Sequence, residues 1–331
     1  MNDLIIIGNG IAANCFLWEL QKQNRKMSIL KIHSENLAPC CSLNSTSIIS
    51  LRGVTQGISP LGDELYESYQ LAESFIQTEK PGGVAPSKFY SICEEDEKKE
   101  YLRRFGSIEE IDFPGLKEKF SGKIWDGYII DPEKFLSFFQ RKTQDSHTSI
   151  SAMVTSTELT EEGVTVSTLD GATYSARKLL ICAGAYTKIY EALYPIHEAI
   201  KGSQSVPGAY LEKGSVDLGP KSFVVNRGKE YLIYLAETKT LKIGTTTQKN
   251  GIEAADFDLL NKIYENFQVI IKEELPNISK FEVKVGLRQK GIKRMPFYGK
   301  VGPNVFALIS LYKNGYTFPF LGAKKVLNLM D

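Results

Sequence analysis

Gly8-Asn9-Gly10-Ile11-Ala12-Ala13 carries the spacing G-x-G-x-x-(G/A), which suits the binding of a pyrophosphate. In such a string the first glycine makes the tight turn and the second lets backbone approach the phosphates. The small third residue, here Ala13, packs helix on strand. The helix that follows offers open amide donors and the positive end of its dipole. The same fingerprint asks for a carboxylate roughly 20 residues on, to hold the ribose hydroxyls. Counting along the chain puts that place on Lys31, with His33 and Glu35 just beyond. An ammonium donates hydrogen bonds and cannot accept them from a hydroxyl. Three readings stay open: Glu35 reaches back, Lys31 contacts a phosphate, or adenosine binding is altered. A 2′-phosphate, hence NADP, is a fourth. A nicotinamide-dependent dehydrogenase comes last, because no second G-x-G-x-x-G string occurs.

The elements around the loop have to hold it. Leu4 to Ile7 is apolar without alternation, as in a parallel strand covered on both faces. Ile11 to Gln23 reads as a helix and Met27 to Ile32 as the next strand, which opens a dinucleotide-binding unit. Residues 39–62, rich in Ser, Thr, Asn, Gly and Pro, read as a long loop. Leu65 to Thr78 is helical and is stopped by Pro81-Gly82-Gly83. Phe89 to Cys93 reads as a strand and Asp96 to Arg104 as a solvated helix. Pro132 to Thr143 is a helix with Phe135, Leu136 and Phe139 as its buried stripe. Val164 to Thr168, the turn Asp170-Gly171 and Tyr174 to Lys178 form a hairpin, and Leu179 to Cys182 is a further buried strand. Phe223 to Val225, Tyr231 to Leu235 and Leu241 to Thr246 suit an antiparallel sheet. A long helix, Phe257 to Glu273, a strand, Val305 to Ile309, and a helix, Thr317 to Leu329, complete the chain.

Composition narrows the function class. The chain has 331 residues, 42% of them hydrophobic, and a formal net charge of +1. That is enough for two cores, and no global basic excess points to nucleic acid. Five cysteines without a Cys-x-x-Cys pair and only three histidines argue against a disulfide framework and a metal site. The apolar stretch from Leu4 to Leu20 lacks a basic start and is broken by Gly8-Asn9-Gly10, so it reads as fold and not as a signal peptide. No run of about eighteen apolar residues is present, and a cytoplasmic enzyme is expected.

Several further strings resemble the D-amino-acid-oxidase-like flavoproteins, glycine oxidase among them. Cys41-Ser42-Leu43-Asn44-Ser45-Thr46 resembles the small-residue loop along the flavin. Gly127-Tyr128-Ile129-Ile130-Asp131-Pro132 resembles a G-x-h-D-P helix entry. Ala176 to Thr187 is similar to the second flavin-domain strand and its A-G-A-(W/Y)-(S/T) turn. Ile200 to Gln204, Ile243-Gly244-Thr245-Thr246, Gly286-Leu287-Arg288, Pro296 to Gly299 and Tyr312-Lys313-Asn314-Gly315 follow the family's order to the C-terminus.

The resemblance implies an α/β fold with a Rossmann-like FAD-binding domain and an interleaved antiparallel-sheet substrate domain. The first would take residues 1–80, 130–200 and 290–331, and the second 81–129 and 201–289. It implies FAD, two-electron oxidation of a C–N bond in an amino acid or amine, and oxygen as acceptor. The cofactor positions it carries over are Gly8, Gly10, Ala13, Lys31, Ser42, Ser45, Thr46, Val154, Ala183, Gly184, Asn314, Gly315 and Tyr316. Arg288 falls at the carboxylate-binding position, and an arginine fork suits a carboxylate. Tyr231 and Lys313 complete the expected catalytic set. Lys313 replaces an arginine, Leu311 stands where histidine is common, and Lys293 stands where aspartate is common. With Lys290 and Arg294 these departures suggest an anionic substrate, such as a dicarboxylic amino acid or a phosphorylated group. Two alternatives remain: a flavoprotein acting on a tRNA base or a protein side chain, and a non-enzymatic nucleotide-binding scaffold. Nucleic acid and membrane are not expected as partners.

Overall fold

The structure, a computed structural model, describes residues 1–35, 40–52, 54, 56–160, 162–192, 197–247 and 255–331. β1 (Asn2–Ile7), α1 (Ile11–Lys22) and β2 (Ile29–His33) open the chain. β3 (Ile48–Ser50) and α2 (Pro60–Glu79) follow, then β4 (Val84–Ile92), α3 (Lys98–Phe105), β5 (Glu109–Ile111) and β6 (Phe120–Ile130). α4 (Pro132–Thr143) leads into β7 (Thr148–Ser151), β8 (Val154–Thr160), β9 (Gly163–Thr168) and β10 (Thr173–Ile181). Next come α5 (Glu198–Lys201), β11 (Gln204–Lys213), β12 (Phe223–Arg227), β13 (Glu230–Leu235) and β14 (Thr240–Gly244). The chain ends with α6 (Phe257–Gln268), β15 (Glu282–Lys290), β16 (Phe297–Gly302), β17 (Val305–Ile309) and α7 (Phe318–Leu329).

The strands make two sheets. In the first, β17, β10, β1, β2 and β7 are parallel, and the apolar runs of β1, β17 and the end of β10 are covered on both faces. β16 is antiparallel to β17, and the β8–β9 hairpin joins along the first half of β10. In the second, β15-β11-β14-β13-β12-β4-β6-β3 run side by side and are antiparallel except at β12 and β4. The fold is therefore α/β, with a parallel and an antiparallel layer.

Caps set the helix starts beside the first sheet. Ser59 Oγ accepts from the Gly62 amide at 3.1 Å and Pro60 fills the first turn of α2. Asp131 Oδ1 does the same for the Lys134 amide at 3.2 Å in α4, ahead of Pro132. Leu4 and Ile6 face α1, α4 and α7, whereas Ile5 and Ile7 face the β8–β9 side. An aromatic knot joins the helices: Phe75 stacks on Phe139 with centroids 5.0 Å apart and meets Trp18 edge-on at 4.7 Å.

Three expectations change. The segment 39–62 holds β3, and α2 begins at Pro60 because its cap lies ahead of the apolar spacing. Positions 39, 53 and 55 of that segment lie outside the described residues. Tyr174 to Lys178 and Leu179 to Ile181 form one strand, β10, long enough to pair first with β9 and then with β1 and β17. α6 stops at Gln268, after which the backbone pairs with the segment around Leu116: Ile271 bridges to Leu116, the Lys117 amide donates to Ile270 O at 2.9 Å, and the Lys272 amide donates to Gly115 O at 2.9 Å. No described helix is long and apolar enough to cross a membrane. Among the described residues no His, Cys, Asp and Glu group could hold a metal.

Candidate active site

A single elongated cavity of about 940 Å³ runs from the Gly8–Ala12 turn to Arg288. Its floor is the phosphate loop. Gly8 has φ +120°, and a Cβ there would lie 2.4 Å from the Cys182 carbonyl oxygen, so only glycine fits. Its amide donates to Ile32 O at 2.8 Å, which fastens the turn to β2. Ala13 is fully buried against the sheet. Asn14, one residue past the motif, donates through Nδ2 to the carbonyls of Asn9 and Gly10, each at 2.9 Å. That brace was not visible in the motif.

At the end of β2, His33, Ser34 and Glu35 line the cavity, and Lys31 does not. Lys31 is 4% exposed and lies beneath the loop, with Nζ donating to Asn9 Oδ1 at 3.0 Å. Burial lowers its pKa to about 8. His33 Nε2 stands 3.9 Å from Glu35 Oε1. Burial and then the charge of Lys31 push the His33 pKa down, while Glu35 opposes them. α4 contributes Glu133, Ser137 and Gln140 along the same wall. These polar residues sit at helical spacing beside its buried Phe135 and Phe139 stripe.

The loop after β2 closes one side. The Ile11 amide donates to Ser42 Oγ at 3.1 Å, and the buried Tyr316 hydroxyl donates to Ser42 O. Ser45 and Thr46 line the cavity, and Lys242 Nζ, on β14, reaches Ser45 O at 3.5 Å. Val154, Ala183, Gly184, Gly315 and Tyr316 line it as well. Asn314 does not; its backbone shapes the turn by accepting from the Thr317 amide at 3.0 Å.

The far end is cationic. Arg288, on β15, donates through Nη2 to Thr246 O at 2.9 Å and Pro207 O at 3.3 Å. Its buried Nε has no protein partner among the described residues. The guanidinium fits because position 208 is glycine: a Cβ there would lie 2.1 Å from Nη2. Its central carbon stands 5.6 Å from the Tyr312 ring centroid. Lys313 lines the same end, its pKa lowered to about 8 by burial first and then by Arg288, Lys229, Arg294 and Arg52. Tyr231 faces them from β13, and its hydroxyl accepts from Arg52 Nη1 at 2.8 Å. Arg288 and Lys313 both line this end of the cavity, whereas Arg294, Arg52, Lys229 and Lys293 do not line it, the first three acting on Lys313 through their charge. Lys290 instead donates to Gln204 at 3.4 Å on the exposed side of β15. The carboxylates among the described lining residues are Glu35 and Glu133, neither of them within an ion pair of Arg288.

The family model described as DAO, FAD dependent oxidoreductase, matches residues 3–329. No curated sequence matches the chain. Among solved structures, glycine oxidase from Geobacillus kaustophilus superimposes with a TM-score of 0.79 at 17% identity, covering 99% of this chain and 94% of that one. Iminodiacetate oxidase from Chelativorans sp. BNC1 gives 0.77 at 16% identity, covering 98% and 94%. L-alpha-glycerophosphate oxidase from Mycoplasma pneumoniae, solved with FAD bound, gives 0.80 at 14% identity, covering 99% and 94%. At these identities the likeness is one of fold.

Proposed function

The chain belongs to the DAO family of FAD-dependent oxidoreductases, and from that premise we propose that it oxidises a C–N bond in a dicarboxylic amino acid, with oxygen as acceptor. One observation carries the substrate class. Arg288 is a buried guanidinium on the cavity wall with no carboxylate paired to it among the described residues, and Lys313 lies beside it. A guanidinium whose Nε is buried without a partner is costly, so the site favours an anion that enters with the substrate, and the exposed Lys313 adds a second positive charge at the mouth.

The cavity residues suit FAD. A Cβ at position 8 would fill the cradle, the first turn of α1 carries no acid, and the cavity is continuous from that turn to Arg288. The Gly8–Ala13 turn would hold the pyrophosphate, the Ser42–Thr46 loop and the Ala183–Gly184 turn the flavin side, and His33 and Glu35 the adenosine side. When bound, FAD supplies the two-electron acceptor, and the protein supplies position and electrostatics. Arg288 holds the carboxylate next to the reacting carbon through its free edge. Tyr231 receives its hydrogen bond from Arg52, which leaves its own proton to donate to the substrate. Lys313 takes the second anionic group, and that charge favours its protonated form. The aromatic faces of Tyr231 and Tyr312 narrow the space around the reacting carbon.

The test is binding without turnover. Unreactive mono- and dicarboxylates are titrated against the holoenzyme, and the perturbation of the flavin absorption band is followed. A dicarboxylate binding more tightly than acetate supports the assignment. Equal affinities would remove the basis for a dianionic substrate.

A further inference from the structure

Lys31 is a buried cation that the substrate chemistry leaves unused. It sits on β2, between β1 and the edge strand β7, in register with Ile6 of β1 and Ser149 of β7. Its neighbours on that face, Leu4, Ile6 and Ile29, are apolar and pack under α1 and α4. A lysine there loses its hydration, and among the described residues its amine gains one neutral partner, Asn9 Oδ1 at 3.0 Å. Asn9 is the middle residue of the glycine turn and lines the cavity. The turn is fastened to the residue after Lys31 by the Gly8 amide on Ile32 O at 2.8 Å.

We propose that Lys31 is a built-in counter-charge for the cofactor pyrophosphate, buried beneath the phosphate loop and coupled to it through Asn9. The usual loop attracts phosphate with amide dipoles alone. This chain adds a full positive charge on the protein side, where neither water nor substrate reaches it. The surrounding groups are consistent with that role. His33 and His147 are both driven toward their neutral forms by burial and by Lys31 itself. Glu35 faces His33, and Glu19 on α1 is engaged by Gln23 at 2.8 Å and Lys22 at 3.5 Å. Lys142, at the end of α4, pairs with Glu79 at 3.1 Å. The phosphates are the natural anion for this amine.

The consequence is a link between pH and cofactor affinity. With burial holding the amine at about 8, pyrophosphate binding favours the protonated form and raises that value. Affinity is then greatest below about 8 and falls as pH rises, by up to about tenfold per unit. An opposite charge nearby shifts a pKa by roughly 1–3 units, so Lys31→Met is expected to release FAD about tenfold to a thousandfold more readily at neutral pH. Lys31→Arg keeps the charge and cannot lose it in this range, so it is expected to hold FAD with a flat profile. The full-length holoenzyme and both variants are diluted across pH 7 to 9.5, and free FAD is read by its fluorescence. Lys313, the other amine at about 8, is present in all three proteins, so the differences report Lys31. A steep profile in the wild type, flat and weak in Lys31→Met, flat and tight in Lys31→Arg, supports the proposal. Unchanged affinity in Lys31→Met, or a pH step that persists in Lys31→Arg, overturns it. Neither outcome depends on which substrate the enzyme oxidises.

Discussion

Arg52 Nη1 donates a hydrogen bond to the Tyr231 hydroxyl at 2.8 Å, and the guanidinium lies over the same ring, 5.1 Å from its centroid. Arg52 also donates to Gly228 O at 2.6 Å, so it ties the loop after β3 to the turn before β13. The phenol is thereby fixed with its own proton directed elsewhere. Tyr231→Phe is expected to lower kcat/KM by about tenfold to a hundredfold, the worth of a hydrogen bond to a charged group. Arg52→Met is expected to cost less, about twofold to tenfold, through loss of aim. Steady-state kinetics with flavin content matched between variants measures both.

Arg288 is the anchor on which the substrate assignment rests. Truncation to Met is expected to lower kcat/KM for a carboxylate substrate by at least about thirtyfold, since deleting one partner of a buried charge pair costs roughly 2–5 kcal/mol. FAD content is expected to stay at the wild-type level. Arg288→Lys is expected to recover only part of the loss, because an ammonium does not reproduce the planar fork. Kinetics and the flavin-to-protein absorbance ratio measure the two effects separately.

The pH dependence follows from Lys313. In the proposed site its protonated form binds the second anionic group, and its pKa is lowered to about 8. The kcat/KM for a dianionic substrate is therefore expected to be flat below that value and to fall as pH rises through it. In Lys313→Met this limb is expected to vanish.

Phe75 joins α2 to α1, α4 and α7 and is 2% exposed. Phe75→Ala is expected to lower the unfolding free energy by about 3–5 kcal/mol. Denaturant titration at fixed flavin occupancy checks this.

The phosphate loop was legible in the sequence because every requirement on it is local: a turn, a close approach and a helix start within six residues of spacing. The cradle of Arg288 was not. Pro207 and Gly208 interrupt the alternation of β11, and Gly286 interrupts that of β15, so neither strand announces itself. The guanidinium sits where Gly208 lacks a side chain, and Asn44 O would lie 2.3 Å from a Cβ on Gly286. The positions that make room for the site are the ones that erase the strand signal. Arg52 lay in a polar stretch read as loop, and its partner is 179 positions away, a relationship no local pattern carries. Lys31 marks the limit of counting: spacing put it at the ribose position, whereas the strand register turns it under the loop and leaves His33 at the cavity wall.

The most direct test of the account is anaerobic reduction of the bound flavin, followed by bleaching of its visible absorption in a panel of neutral amines, glycine and dicarboxylic amino acids. Fastest bleaching by a dicarboxylic amino acid, with reoxidation on admitting air, is the expected result. Fastest bleaching by simple neutral amines would contradict it.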